Sequence, residues 1–325
     1  MPDKTLSELE ALVGDSRETV ADFRIERGKV AEFARAITDS NPIYYDTDAA
    51  REAGYERIPA PLTYVRVSRF PHYQVTEGDL YGFDLGFRLE YVLHGEQTYE
   101  YERPLYVGDE LSGATTLVDV FQRDGGRAGT MTFAVLETNY RNQDDDLVLT
   151  DRATVIETED AVEGGGTTKD GTTETGTSDG GPTPEPRAID PVRSPTEVAV
   201  GESGPRVVVE ALKRRHFVQY AGASGDFNPI HYDEPYARAA GNPSVFGQGM
   251  FTAGIASRAV TDWVGLEAVD SFDVRFQSRV FPGDDVIADG EVAAVEGDTV
   301  TVDLEARTDR GETLLTGTAT ATLTE

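Results

Sequence analysis

The chain of 325 residues contains no cysteine, one tryptophan, three methionines and four histidines. Without thiols there is no disulfide, no thiolate nucleophile and no cysteine-based metal site, and four histidines would leave any metal site dependent on carboxylates. Lysine is scarce too: Lys4, Lys29, Lys169 and Lys213 stand against 59 acidic residues, and the net charge is −30. The remaining basic residues are arginines, whose guanidinium is more weakly hydrated than an ammonium and pairs bidentately with carboxylates. A surface this acidic repels itself in dilute solution and is tolerated once salt shortens the screening length to a few Å. This reads as adaptation to a salt-rich cytoplasm, as in a halophile. The same charge disfavours nucleic acid and anionic membranes as partners. No apolar run approaches the roughly 18 residues of a membrane span. The first twenty residues carry acids and no signal-peptide core, so the expected location is cytoplasmic.

Aromatic residues are missing from one region, with no Phe, Tyr or Trp between Tyr140 and Phe217. Gly, Thr, Pro and acids dominate there, and nothing offsets the entropy of ordering the chain. The expected organisation is an N-terminal domain over residues 1–157, an acidic flexible linker over 158–200, and a C-terminal domain over 201–325. The two halves are related. Sliding one over the other by 187 positions aligns R-A-I-T-D-S-N-P-I-Y-Y-D-T-D-A-A-R-E-A-G (35–54) with G-A-S-G-D-F-N-P-I-H-Y-D-E-P-Y-A-R-A-A-G (222–241), and eleven of the twenty positions are identical. A shared fold follows. L-Y-V-G-D-E-L (105–111) and V-F-P-G-D-D-V (280–286) repeat a turn that opens an extended stretch.

Each half predicts the same order of elements. A polar helix (about 27–38, and about 211–222) leads into the irregular N-P-I segment, where proline biases the preceding Asn away from helical angles. A short helix follows, around Ala49–Ala53 or Tyr236–Ala240, ending at a glycine. Residues 249–264, G-M-F-T-A-G-I-A-S-R-A-V-T-D-W-V, are apolar almost all round and rich in Ala and Gly, so this helix wants burial on most faces. The stretches Y-E-Y-E-R-P-L-Y-V, T-M-T-F-A-V-L-E-T-N-Y, F-D-V-R-F-Q-S-R-V-F, T-V-T-V-D-L-E-A-R-T and L-L-T-G-T-A-T-A-T-L-T alternate in the manner of strands. The expected class is α+β, with a curved antiparallel sheet wrapped around a central helix in each half.

Asp226 and His231 are the candidate acid and base. Pro229 between them rules out a regular helix, so the turn sets their directions, and a carboxylate and an imidazole converging on one water form a competent acid–base unit. Purely structural roles, an Asx turn at Asp226 and a satisfied His231, are the alternative. The repeat favours chemistry: the N-terminal equivalents are Asp39 and Tyr44, and a phenol cannot replace an imidazole near neutrality. Asn228 is expected to orient the loop. Asp226, Asn228, His231 and Asp233 match no metal loop. Arg214, Arg215, Arg238, Arg258, Arg275 and Arg279 are candidate partners for phosphates, most of them expected in surface ion pairs. His72, His94 and His216 read as bland surface or packing residues, and Trp263 as core.

The motif G-D-F-N-P-I-H with the downstream Q-G-M-F-T-A-G-I-A-S resembles the MaoC-like (R)-specific enoyl-CoA hydratases and (3R)-hydroxyacyl dehydratases. D-S-N-P-I-Y-Y-D, A-A-R-E-A-G-Y and I-P-A-P-L-T-Y resemble their non-catalytic partner subunit, as in the fused double hot-dog form. The resemblance implies a double hot-dog fold, an internal pseudo-dimer open to further homodimerisation, with the N-terminal half forming part of an acyl-chain tunnel. It implies an acyl-CoA thioester as substrate and no cofactor. Asp226 and His231 would be the catalytic pair, the Gly249 N–H the oxyanion hole, and Ser257 a supporting residue, although a hydroxyl bonded back within the helix explains Ser257 equally well. An N–H at a helix start suits the negative charge that water addition builds on a thioester oxygen. Gln248 stands where the family usually has His, and Gly254 at a common Ser position, which bears on the substrate. The implied reaction is reversible hydration of a trans-2-enoyl-CoA to the (3R)-3-hydroxyacyl-CoA. Rival readings are a mesaconyl-CoA hydratase, which would need an arginine in the pocket for the second carboxylate, and a non-catalytic acyl-CoA-binding subunit.

Overall fold

The computed structural model describes residues 2–69, 81–88, 91–125, 129–159 and 191–324. In the N-terminal half these form α1 (Leu6–Glu10), β1 (Ser16–Arg24), α2 (Arg27–Ala36), α3 (Thr47–Glu52), β2 (Val92–Tyr101), β3 (Glu110–Asp124), β4 (Thr130–Arg141) and β5 (Leu147–Thr158). The C-terminal half contains β6 (Val207–Val209), α4 (Arg214–Ser224), α5 (Glu234–Ala239), α6 (Gly249–Val264), β7 (Val269–Phe276), β8 (Val286–Glu296), β9 (Thr299–Thr308) and β10 (Thr313–Thr322). All ten strands share one antiparallel sheet in the order β1-β3-β4-β5-β2-β7-β10-β9-β8-β6. Read outward from the centre, the order is the same in both directions, the internal twofold expected from the repeat. The halves join where β2 pairs with β7, from Glu96↔Arg275 to Glu100↔Ser271, and the Thr98 hydroxyl donates to the Asp273 carboxylate across this seam.

The sequence repeat is also a repeat of hydrogen bonds. α4 ends at Gly225 in the left-handed region (φ 84°), and Thr38 (φ 60°) takes the same place after α2. Asn228 and Asn41 then cap short 3-10 turns, accepting from Ile230 N (3.1 Å) and Ile43 N (3.2 Å). Asp233 and Asp46 cap α5 and α3, so Asp233 is a helix cap. The Gly-Asp turns match as well: Asp109 accepts from Tyr106 N and Asp284 from Phe281 N, both at 2.9 Å. Side-chain oxygens that satisfy orphan backbone donors are what make N-P-I a repeatable local structure.

α6 is the central helix of the C-terminal half, and thirteen of its sixteen residues are buried. It packs on the strands of its own half and on the helical turn of the other. At Gly254 an added Cβ would lie 2.5 Å from Ile37 Cγ2 and 3.3 Å from Thr63 Oγ1, so the small residue lets the halves close together. The N-terminal counterpart of α6 differs: over Leu62–Arg69 the backbone is a 3-10 helix. An aromatic chain crosses the interface, Phe217–Phe251 (6.0 Å), Phe251–Tyr220 (5.6 Å), Tyr220–Phe33 (5.7 Å) and Phe33–Tyr64 (5.5 Å). Trp263 is buried, as expected. Of the expected linker, residues 160–190 lie outside the described residues. The segment from Pro191 to Val200 is anchored on the C-terminal half: Val192 N donates to Trp263 O (2.8 Å), and Val192 and Val198 pack on the core. Among the described residues, no helix is long and apolar enough to cross a membrane.

β10 is squeezed beside the seam. A Cβ at Gly317 would stand 2.1 Å from the Asp273 carbonyl oxygen, whereas one at Gly28 in α2 would meet nothing within 4 Å. Gly317→Ala should therefore destabilise the protein by about 1–3 kcal/mol, while Gly28→Ala should be neutral or stabilise it by about 0.5 kcal/mol. Urea unfolding in molar KCl measures both.

Candidate active site

Asp226 and His231 belong to one compact turn. The left-handed Gly225 turns the chain out of α4, and Asp226 N donates to Ser224 Oγ (3.2 Å). The Asp226 carboxylate accepts weakly from Asn228 N at 3.4 Å, and Asn228 starts the Pro229–His231 turn that carries the histidine. His231 is buried, and its Nδ1 lies 2.9 Å from the Phe246 carbonyl. Since a carbonyl only accepts, Nδ1 is the protonated nitrogen and Nε2 keeps its lone pair. Phe246 also packs edge-on to the imidazole, with ring centroids 5.2 Å apart. Burial pulls the His231 pKa below the usual value, opposed by the Asp226 charge and the Phe246 hydrogen bond. The ring is therefore neutral at neutral pH.

Gly249 opens α6, so its N–H is one of the donors that the helix leaves without an internal partner. A Cβ here would come 3.2 Å from the Phe276 ring, and glycine keeps the approach to that N–H open. Gln248, just before it, is buried and donates through Nε2 to Phe217 O (3.2 Å) and Asp226 O (3.4 Å). It thereby ties the start of α6 to the Asp226 turn. Ser257 lies two turns further along α6, where its hydroxyl donates to Gly254 O at 2.9 Å. In the N-terminal half Asp39 is buried, its pKa raised by burial and moderated by Arg258. Tyr44 is buried beside it, and the 187-residue offset puts Leu62 opposite Gly249.

Of the six candidate arginines, Arg214 and Arg238 both pair with Glu234, Arg275 faces Glu96 at 3.8 Å, and Arg258 reaches across to Thr38 Oγ1 at 2.9 Å. Arg279 stands 5.0 Å above the ring of Phe246, which also packs on His231.

Two family models divide the chain between them. The FAS1-like dehydratase domain region matches residues 11–151, and the MaoC-like domain matches residues 193–311. The chain belongs to the MaoC-like dehydratase family. Among its relatives, a UPF0336 protein of Streptomyces coelicolor is 37% identical over 109 residues, 33% of this chain and 70% of that protein. One of Thermobifida fusca is 33% identical over 129 residues, 39% and 81% respectively. A solved MaoC-like dehydratase superposes with a TM-score of 0.79 at 25% identity, over 97% of this chain and all of the other (100%). A Mycobacterium tuberculosis protein with a double hot-dog fold superposes with a TM-score of 0.64 at 14% identity, over 98% of each chain.

The remaining histidines of this MaoC-like protein are those expected at the surface or in packing. His72 lies outside the described residues. His216 acts in packing and as a cap, its Nδ1 accepting from Lys213 N at 3.1 Å. His94 falls on the packing side of the expectation: it is deeply enclosed, its ring 5.0 Å from Phe276, and among the described residues its buried Nε2 has no hydrogen-bond partner. Burial and the neighbouring Arg66 charge push its pKa down to about 3. No apolar periodicity announces it, because the bulge between His94 and Glu96 interrupts the alternation of β2.

A histidine depressed on folding binds its proton first in the unfolded chain. The stability it allows is whole above pH 6.5 or so and falls as the pH drops toward 3. Stability curves of wild type and His94→Gln should accordingly converge on acidification, the wild type losing up to about 1.4 kcal/mol more per pH unit between pH 6 and 4. Parallel curves would contradict this.

Proposed function

We propose that the protein catalyses reversible hydration of a trans-2-enoyl-CoA to the (3R)-3-hydroxyacyl-CoA. The observation that carries this reading is the state of His231. Its Nδ1–H is held by the Phe246 carbonyl and its ring is kept neutral by burial, so a lone pair is available for water next to the Asp226 carboxylate. The thioester oxygen would sit at the Gly249 N–H, with the positive end of the α6 dipole behind it. His231 Nε2 accepts from the attacking water and orients it. Asp226 takes the proton as the water oxygen bonds to C3, and the π electrons move onto the thioester oxygen. Asp226 then returns the proton to C2, completing the 3-hydroxyacyl product, and the reverse sequence is dehydration. Arg279 is the candidate for CoA phosphate binding. A salt-rich cytoplasm as the setting is supported by the acidic, lysine-poor composition.

The N-terminal half supports an assignment of chemistry to one half only, because Tyr44 and Leu62 replace the imidazole and the glycine. In molar KCl, wild type should hydrate crotonyl-CoA, seen as loss of the enoyl-thioester absorbance. Asp226→Asn and His231→Gln should each lower kcat/KM by about 100-fold or more, while Tyr44→Phe should stay within about twofold of wild type. The acid limb of kcat/KM should fall below pH 6.5, because the lowered His231 pKa delays its protonation. Turnover that survives Asp226→Asn would overturn the reading.

A further inference from the structure

Gln248 is the N-cap residue of α6, yet its side chain makes no capping hydrogen bond. A Ser, Thr, Asp or Asn here would accept from the free N–H groups of the first helical turn. The Gln248 amide is committed elsewhere, with Nε2 donating to Phe217 O in α4 (3.2 Å) and to Asp226 O in the catalytic turn (3.4 Å). Both partners are carbonyls, which only accept, so the amide faces them in a single orientation. That orientation leaves Oε1 buried without a hydrogen-bond partner among the described residues. A buried acceptor left empty costs stability, so the arrangement serves the two carbonyls at a loss to the fold.

The internal repeat shows what this contact replaces. Ala60 N donates to Leu105 O (2.8 Å) and Gly247 N to Val280 O (2.9 Å), the same bond to the start of the Gly-Asp turn in each half. Pro61 is therefore the counterpart of Gln248, and it has no donor to offer. In the N-terminal half the carbonyl of Asp39 accepts from the hydroxyl of Tyr45, within the same turn. The counterpart of Tyr45 is Tyr232, which is 45% exposed, and among the described residues the Asp226 carbonyl takes its hydrogen bond from Gln248 instead. One aspartate is thus held from inside its own turn, by Tyr45 and by Asn41 N at 2.9 Å. The other is held once from inside, by Asn228 N at 3.4 Å, and once from the helix start that presents the Gly249 N–H. Hydrogen bonds of a catalytic turn are often long in the free site and tighten around the substrate.

Building on the hydratase reading, we propose that Gln248 is a positioning residue of the reaction. Its amide ties the Asp226 backbone to the start of α6, so that the carboxylate and the Gly249 N–H keep one separation. Hydration needs this, since Asp226 must act at C3 and C2 while the negative charge builds on the oxygen at C1. The exchange of Tyr45 for Gln248 as the donor converts a self-contained turn into one coupled to the oxyanion site.

Crotonyl-CoA hydration in molar KCl by wild type, Gln248→Met, Gln248→Glu and Tyr232→Phe tests the coupling. Gln248→Met keeps the length of the side chain and removes the donor, and its kcat should fall by about 10- to 100-fold. Its affinity for butyryl-CoA, which calls on the Gly249 N–H but on no base, should stay within about threefold of wild type. Gln248→Glu sets an acceptor against two carbonyls when ionised and regains one donor when protonated. Its kcat relative to wild type should therefore rise as the pH falls, a dependence that altered packing alone does not produce, and it carries the test if Gln248→Met fails to fold. Tyr232→Phe should stay within about twofold of wild type. A wild-type kcat in Gln248→Met, a loss that appears only in butyryl-CoA affinity, a flat pH ratio in Gln248→Glu, or a comparable loss in Tyr232→Phe overturns the positioning role and leaves the hydratase reading standing. No turnover in wild type removes the hydratase reading and the positioning role with it.

Discussion

Everything in this molecule depends on the pairing of β2 with β7. Five residue pairs there join two five-stranded sheets into one, and that junction fixes how far α6 reaches into the N-terminal half and how far the Leu62–Arg69 turn reaches back. The site is a product of this closure. Asp226, His231 and Gly249 come from one half, and the Leu62–Arg69 turn of the other half packs on α4 and α6, the helices that flank them. A sheet edge left open at β2 or β7 would expose unpaired backbone groups. Closing the two edges on each other removes that liability.

The local structure around Asp226 was legible in the sequence because it is encoded by short-range chemistry. Asn228 and Pro229 define the turn, Asp233 caps the next helix, and the glycines after α4 and α5 take left-handed angles, so residue type and position suffice. α6 was found with both ends correct because it is apolar on nearly every face, and β9 because its alternation is unbroken over Thr299–Thr308. A curved sheet around a central helix in each half followed from the repeat together with these elements, and the family resemblance gave that arrangement its double hot-dog class.

What could not be read was decided by contacts between the halves. Arg66 sits in a segment with no distinctive spacing, and only the packing of its turn on α4 and α6 brings it within electrostatic range of Asp226. His94 precedes a bulge that hides the start of β2. The turn over Leu62–Arg69 offers no sign in composition that it would wind as a 3-10 helix. The C-terminal end of the expected linker shares the polar composition of its middle, but Val192 and Val198 pack against the apolar core. Local rules see neighbours along the chain, and these features are made by neighbours in space.

The two halves exchange arginines. Arg258 of α6 reaches the Thr38–Asp39 turn, and Arg66 of the opposite turn interacts electrostatically with Asp226. In an assembly of identical subunits each such reach would be copied, so any change that tuned one pocket would alter its twin in the same way. Joining the copies in one chain lifts that constraint. One acid has been sealed in the interior beside a phenol while the other keeps its imidazole, and each half can drift in a direction closed to the other. Asymmetry of this kind is open to a duplicated and fused gene and closed to a homodimer.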